Sequence, residues 1–436
     1  MVVDAGTLRD LDVFDSATPR GTTIWSLVDR TRSRAGREHL RRRLVDSAGA
    51  APAIQERQRA HRALAEMSGI GTTLQAVDGD GVERYLTSTW HLPDVRGGAT
   101  RLADRLWAPA WFRQYLDDVE NGQARVSGTL RAADDLRRRV EDSEAAELRA
   151  IGAALASELG HADVREVLAL GRGRSRAARL AFDQRARGTA RPRLHAILDA
   201  VGQLEAIWSL ASVTAERGWT YPTPSTRLEV RGLVHPFLGD RAVANDLALA
   251  DGVRVAFLTG PNMAGKSTFL KAVAVALLLA HAGCGVPAAA MTFPAAGALF
   301  SSVHIADALD RGESFYLAEV RRVRALAQAL RDHGSVVAVI DEPFRGTNVH
   351  DAAEATLAVI ARLTAHPGAL VFVASHLAEV VPALADDPRV RLLHVAAEVQ
   401  GEAVRFDYRL RDGVSTQRLG MVLLRQEGVL ELLEAP

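Results

Sequence analysis

Apolar positions along the chain follow two regimes that meet near residue 225. Before it the spacing is helical. Leu148, Ile151, Leu155 and Leu159 fall on one stripe within 127–159, and Leu194, Ile197, Val201, Leu204 and Trp208 do the same within 193–213. The stripes predict helices, either paired antiparallel as a long hairpin or packed as ordinary members of a bundle. Pro192 suits the first turn of the second. After GWTYPTPSTR the pattern becomes short β-branched runs, RLEVRGLV, VRVAFLTG, SVVAVIDEP and GALVFVASH, with helix-like stretches between the later ones. Alternation of this kind predicts a mainly parallel sheet covered by helices. RVRLLHVAAEV and EAVRFDYRL, on either side of Gly401, predict a hairpin. The expected architecture is multidomain, with an all-α part over 1–225 and an α/β part over 226–436.

Composition narrows the picture. A chain of 436 residues with 48% hydrophobic content supports more than one core and argues against disorder. The formal net charge is zero, so contact with nucleic acid would have to come from a local patch. The single cysteine, Cys284, excludes an intramolecular disulfide framework, fits a reducing, cytoplasmic setting and reads as a small buried hydrophobe. The acid-bearing start, MVVDAGTLRDLDV, does not read as a signal peptide. Residues 272–306 carry no charge and imitate a membrane span, but AVAVALLLA is short and Gly283, Gly285, Pro287 and Pro294 interrupt the rest of the run. A buried helix, a loop and a buried strand account for it, and no membrane contact is expected.

Both lysines of the chain, Lys266 and Lys271, lie in FLTGPNMAGKSTFLK, while every other basic side chain is arginine. Lysine is a compact point charge on a flexible stem and does not substitute for arginine. Residues 260–267, GPNMAGKS, fit G-x-x-x-x-G-K-[ST] after the alternating run Val253, Val255, Phe257 and before a helix, the setting that gives the pattern meaning. Gly260, Pro261, Asn262, Met263, Ala264 and Gly265 would wrap their backbone around phosphate oxygens, with Thr268 following in the helix. Lys266 would reach the β- and γ-phosphates of ATP, and Ser267 would ligate Mg²⁺. VVAVIDEP places Asp341 after an apolar run as the metal carboxylate, and Glu342 beside it suits a general base. VFVASH ends on His376, read as a γ-phosphate or water contact.

These segments resemble a known family. TGPNMAGKST, DEPFRGTNVHD and ASHLAEV are similar to the ATPase core of the MutS mismatch-repair family, with an ABC-type P-loop domain. SSVHIADALDRGESFYLAEV resembles the segment that completes the nucleotide site of the opposite subunit, which implies roles for Gly312 and Ser314 in a homodimer; Glu319 also matches. RGLVHPFL and Asn245 resemble the lead-in to the P-loop, and the N-terminal DAGTLRDLDVF with the region after it resembles the start of the helical core domain. The resemblance implies an ATP-hydrolysing, DNA-binding protein of repair or recombination, acting on mismatched or branched DNA. A nucleotide-switched scaffold with little hydrolysis is the alternative.

Departures from the family carry expectations too. The chain starts at the core domain, so no mismatch-reading domain with its Phe-x-Glu wedge is expected, and the lever helices should be short. RAVAN offers only Ala242 and Val243 where an aromatic usually stacks on adenine. Glu313 and the EPF sequence depart from the usual residues, and neither a nuclease domain nor a long dimerisation segment is expected at the end. Residues 171–193 hold eight arginines against one acid, Asp183. Arg172, Arg174, Arg185 and Arg187 are candidates to neutralise DNA phosphates, and a solvated arginine-rich face is the alternative.

Overall fold

The computed structural model describes residues 1–16, 21–88, 110–303, 314–400, 403–415, 417 and 420–434. By its contacts the chain forms two compact units, one of residues 1–28, 44–58 and 213–436, the other of 29–43 and 59–212. Residues 1–28 and 44–58, expected with the helical part, therefore group with the sheet.

The sheet unit begins with β1 (Val2–Val3), α1 (Ala5–Asp10) and α2 (Ile24–Val28). Helices α3 (Arg34–Val45) and α4 (Ala51–Glu66) each run from one set of residues into the other. The second unit continues through α5 (Ile70–Gln75), α6 (Gly79–Thr87), α7 (Ala110–Val140), α8 (Ala146–Leu159), α9 (Ala162–Leu170), α10 (Arg176–Arg187) and α11 (Arg191–Glu216), whose last residues return to the sheet unit. The first predicted stripe is broken at 141–145. It becomes the end of α7 and the whole of α8, with Leu148, Ile151 and Leu155 buried and Leu159 partly so. Most of the arginine-rich stretch 171–193 lies in helix α10 and the start of α11. Helix α11 is long and apolar enough to cross a membrane, but most of it is buried inside the protein.

The remaining strands are β2 (Thr223–Ser225), β3 (Glu229–Leu233), β4 (Asn245–Ala248), β5 (Val255–Thr259), β6 (Ala290–Pro294), β7 (Ala298–Ser302), β8 (Val336–Asp341), β9 (Ala369–Ala374), β10 (Val390–Gln400) and β11 (Ala403–Asp412). They form a seven-stranded sheet in the order β1-β7-β8-β9-β5-β10-β11 and a four-stranded sheet in the order β2-β6-β3-β4. In the larger sheet β10 and β11 pair antiparallel, as the hairpin reading expected, and the other pairs are parallel. Gly401, at the expected turn, lies outside the described residues. Strands covered on both faces need no polar alternation. Accordingly all five residues of β5 and all six of β9 are buried, and the alternation read through Val253, Val255 and Phe257 does not mark an exposed face.

Between the strands lie α12 (Lys266–His281), α13 (Phe315–His333), α14 (Val349–Ala365) and α15 (Val381–Leu384), and α16 (Gly420–Gln426) and α17 (Val429–Glu434) come after β11. The described part of the uncharged run, 272–303, resolves into buried α12, the connection after it and two strands, β6 and β7, where one strand was expected. Cys284 is buried against the Thr214 hydroxyl at 3.3 Å, and burial pushes its thiol up to about 12, so it is unreactive. Three strands end side by side, β8 in Asp341, β9 just before Ser375 and His376, and β5 just before Gly260. Ligands of open α/β sheets bind outside such carboxyl ends.

Candidate nucleotide site

Residues 260–265 turn the chain from β5 into α12. Gly260 sits at φ +145, where a Cβ would lie 2.5 Å from the Val395 carbonyl oxygen, and Gly265 caps α12 at φ +94. Met263 adopts φ +68 and projects into solvent. This loop and the strand ends line a cavity of about 810 Å³. Pro261, Asn262, Met263, Gly265, Lys266, Ser267, Thr268, Asp341, Glu342, His376 and Asn245 line it, while Gly260 and Ala264 shape the loop from behind.

Lys266 is 5% exposed, and its ammonium donates to the Gly260 carbonyl at 2.8 Å and the Pro261 carbonyl at 3.3 Å. It also stands 3.6 Å from Glu342 Oε1. The Ser267 hydroxyl donates to Asp341 Oδ2, whereas Asp341 Oδ1 is buried with no hydrogen-bond partner. Burial raises the Asp341 carboxyl above its ordinary range; the Ser267 bond opposes the shift. A hydroxyl and an unsatisfied carboxylate oxygen at the mouth of this cavity are the hard donors Mg²⁺ prefers, and that ion typically takes only one or two carboxylates. The residues therefore fit the ion.

Glu342 adopts φ +50, and its N–H continues the ladder by donating to the Ala374 carbonyl at 2.8 Å. Its Oε2 accepts from the His376 N–H at 3.2 Å and lies 2.6 Å from His376 Nδ1. The two residues read separately from sequence thus form one hydrogen-bonded pair. Phe344, the unexpected residue of EPF, is buried in the sheet core against Tyr316. Glu319 on α13 is buried and accepts from the Arg345 and Gly346 N–H groups at 3.2 and 3.0 Å, fixing the chain just after Glu342, and burial raises its carboxyl above the usual range.

Asn245 lines the cavity, but its amide is engaged elsewhere. Nδ2 donates to the Val243 and Tyr408 carbonyls at 3.2 and 3.0 Å, and Oδ1 accepts from Leu410 N–H at 2.7 Å. Its observed work is to hold β11. That strand brings in Tyr408, which sequence reading missed: 45% exposed, at φ +56, with its ring against Gly265 and in the lining of the cavity. The signal was an aromatic pair, Phe406 and Tyr408, on a hairpin far from the loop in sequence. Arg345, also unread, lines the cavity with its guanidinium 4.9 Å from the Phe315 ring. Ser314 caps α13, accepting from Leu317 N–H, and is not among the residues lining this cavity. Gly312 lies outside the described residues.

The DNA candidates divide. Arg172 and Arg174 are exposed between α9 and α10. Arg185 pairs with Glu166 at 2.8 Å and Asp163 at 3.5 Å. Arg187 is 15% exposed and donates to Asp183 at 2.6 Å, while Asp183 also accepts from the Tyr85 and Tyr115 hydroxyls. Arg187 serves a buried carboxylate, which removes it from the phosphate-contact set, and Arg185 is held by two acids.

Residues 256–432 match the family model described as MutS domain V. The chain is 33% identical over 259 residues to DNA mismatch repair protein MutS 2 of Halobacterium salinarum, a match over 57% of this chain and 30% of that protein. It is 32% identical over 251 residues to DNA mismatch repair protein MutS of Myxococcus xanthus, covering 55% and 28%. With the MutS protein of Geobacillus kaustophilus the identity is 29% over 246 residues, covering 55% and 27%. The matches thus span less than a third of the length of these relatives.

Proposed function

We propose, for a chain whose C-terminal part is that of a MutS-family member, that it binds and hydrolyses ATP and couples this to DNA binding as a homodimer. One observation carries the reading: Lys266, Ser267, Asp341, Glu342 and His376 meet around a single cavity at the ends of β5, β8 and β9. On binding, the Lys266 ammonium exchanges the loop carbonyls for the β- and γ-phosphates. The N-terminus of α12 adds positive potential toward the same phosphates. Ser267 and Asp341 hold Mg²⁺, which when bound neutralises charge on the phosphate oxygens. Glu342 takes the proton of the attacking water, and His376 orients its carboxylate through Nδ1. Tyr408 offers the base a ring face, which answers the missing aromatic at Ala242 and Val243. Ser314 reaches the γ-phosphate of a second copy, consistent with its place outside the cavity of its own chain.

DNA as partner is supported by the names of the relatives and by the exposed Arg172 and Arg174. With no mismatch-reading wedge expected, this reading favours branched or bent DNA over a single mismatch, and the cytoplasm as its setting. Subunit mixing tests the composite site. Lys266→Ala and Ser314→Ala proteins are each expected to be inactive alone, while their mixture regains part of the wild-type ATPase rate through one intact site per mixed dimer. No recovery despite demonstrated subunit exchange sinks the composite site.

A further inference from the structure

A buried polar network joins the N-terminal segment to the helix that Ser314 caps. Strand β1 pairs with β7 only as far as Val3 opposite Leu299, so the N–H groups farther along that edge of β7 need other partners. Helix α1 supplies them from one face. Thr7 Oγ1 accepts from Ser301 N–H at 2.8 Å, and Asp10 Oδ2 accepts from Val303 N–H at 2.8 Å and from the Ser301 hydroxyl at 3.1 Å. Arg322 of α13 enters the same network, donating to Asp4 at 2.8 Å, to Thr7 Oγ1 at 2.9 Å and to the Ser301 carbonyl at 3.0 Å, with its guanidinium over the Phe300 ring at 3.9 Å. Gly6 leaves it room, since a Cβ there would lie 2.8 Å from Nη1. Thr7 is wholly buried and Asp10 is 7% exposed. Two residues on, Asp12 pairs with Lys271 of α12 at 3.2 Å. One short segment thus grips both the phosphate-loop helix and the helix behind Ser314.

We propose that residues 4–12 are a positioning clamp for the nucleotide site. They fix α13, and so Ser314, relative to the end of β7, where Val303 lines the cavity beside the strand that carries Asp341. The chemistry favours placement over mere adhesion. Replacing buried polar groups by apolar ones of similar volume is often neutral or stabilising, whereas directional bonds from a planar guanidinium hold one geometry. The clamp rests on the proposed composite site, because the group it places acts in the neighbouring subunit.

The experiment measures ATP hydrolysis of Asp10→Ala and Asp10→Asn in the full chain. For Asp10→Ala, kcat falls by up to roughly 10²-fold, the effect of ångström-scale misplacement, with KM for ATP nearly unchanged. Asp10→Asn keeps an acceptor oxygen for Val303 and Ser301 and retains most of the rate. Mixed with Lys266→Ala subunits, Asp10→Ala regains activity; mixed with Ser314→Ala subunits it does not, because both then lack the group offered in trans. An unchanged kcat, equal loss in Asp10→Asn, or recovery with Ser314→Ala subunits overturns the clamp. If Asp10→Ala fails to fold, Thr7→Val removes the acceptor for Ser301 and Arg322 at matched shape and carries the same expectations. The Lys266→Ala and Ser314→Ala mixture is the control: no recovery there overturns the composite site, while the kcat and KM split still tests the clamp within its own chain.

Discussion

Glu342 holds a left-handed backbone that L side chains adopt at a cost of about 1–3 kcal/mol, and it does so between a strand end and the His376 ring. Strain of this kind persists where surrounding structure over-determines it. Here the β8–β9 ladder, Lys266 and His376 all hold the same residue. Its position was legible from the apolar run before it; its partnership with His376 was not, because that depends on the parallel register of β8 and β9. Tyr408 was illegible for a similar reason. Its approach to Gly265 comes from Asn245 holding the backbone of β11, a contact between residues far apart in sequence. Tyr408→Ala should weaken ATP binding by about 1–3 kcal/mol, roughly ten- to a hundredfold in Kd, if the ring stacks on the base. Titration with ATP and with inorganic triphosphate checks this, since only ATP should be affected.

His281 offers a residue-scale test of stability. Burial first, then nearby positive charge, lowers its imidazole to about 4, while its Nδ1 bonds the Leu277 carbonyl and opposes the shift. Nε2 accepts from Ala296 N–H at 3.0 Å, a bond that requires the neutral ring. Between pH 6.5 and about 4 the unfolded chain holds this proton and the folded chain does not. The contribution is therefore complete above 6.5 and is lost as pH falls through that window, amounting to roughly 3 kcal/mol at most. Asp341 and Glu319, whose carboxyls are raised, work in the opposite sense, so the informative comparison is between variants. Urea unfolding of His281→Gln should show a shallower loss of stability on acidification than wild type. Equal slopes would exclude the histidine as the cause.

At the level of elements, sequence periodicity located helices and strands better than it assigned their faces. The stripe through Leu148, Ile151 and Leu155 was read as one helical face and is buried, yet the helix was broken before it. The arginines of α10 looked alike in sequence, but a helix presents residues i and i+4 together, so Arg187 falls on Asp183 while Arg172 and Arg174 precede the helix. Burial and then the Asp183 carboxylate push the Tyr85 phenol above its ordinary range, and burial with the Asp183 hydrogen bond does the same for Tyr115, so both remain donors to that carboxylate. Arg187→Ala should destabilise the protein by about 3 kcal/mol, because it leaves a buried carboxylate without its cation. Denaturant titration would show this, with DNA affinity of the folded fraction unchanged. The double variant Arg172→Ala, Arg174→Ala should leave stability within about 0.5 kcal/mol. Its log K against log salt slope should become shallower by about 2 units. The reverse pattern would return Arg187 to the candidates for DNA contact.

For the whole molecule, the change of period near residue 225 did not reveal that the first residues close the edge of the sheet. Nothing in VVDAGTLRD shows it locally, since β1 is two residues long and its role comes from pairing with β7, nearly three hundred residues later. The loop 260–267, by contrast, was legible as a turn from strand into helix because its pattern is compressed into consecutive residues. Whether this site is a working ATPase centre is measured most directly by single-turnover hydrolysis with Glu342→Gln beside wild type, with ATP affinity determined on the same samples. With Glu342 as general base, the variant keeps ATP affinity within a few-fold of wild type and hydrolyses ATP slower by about 10²–10⁴. Hydrolysis near the wild-type rate would contradict that role, and so would a wild-type protein that binds ATP tightly and never turns it over.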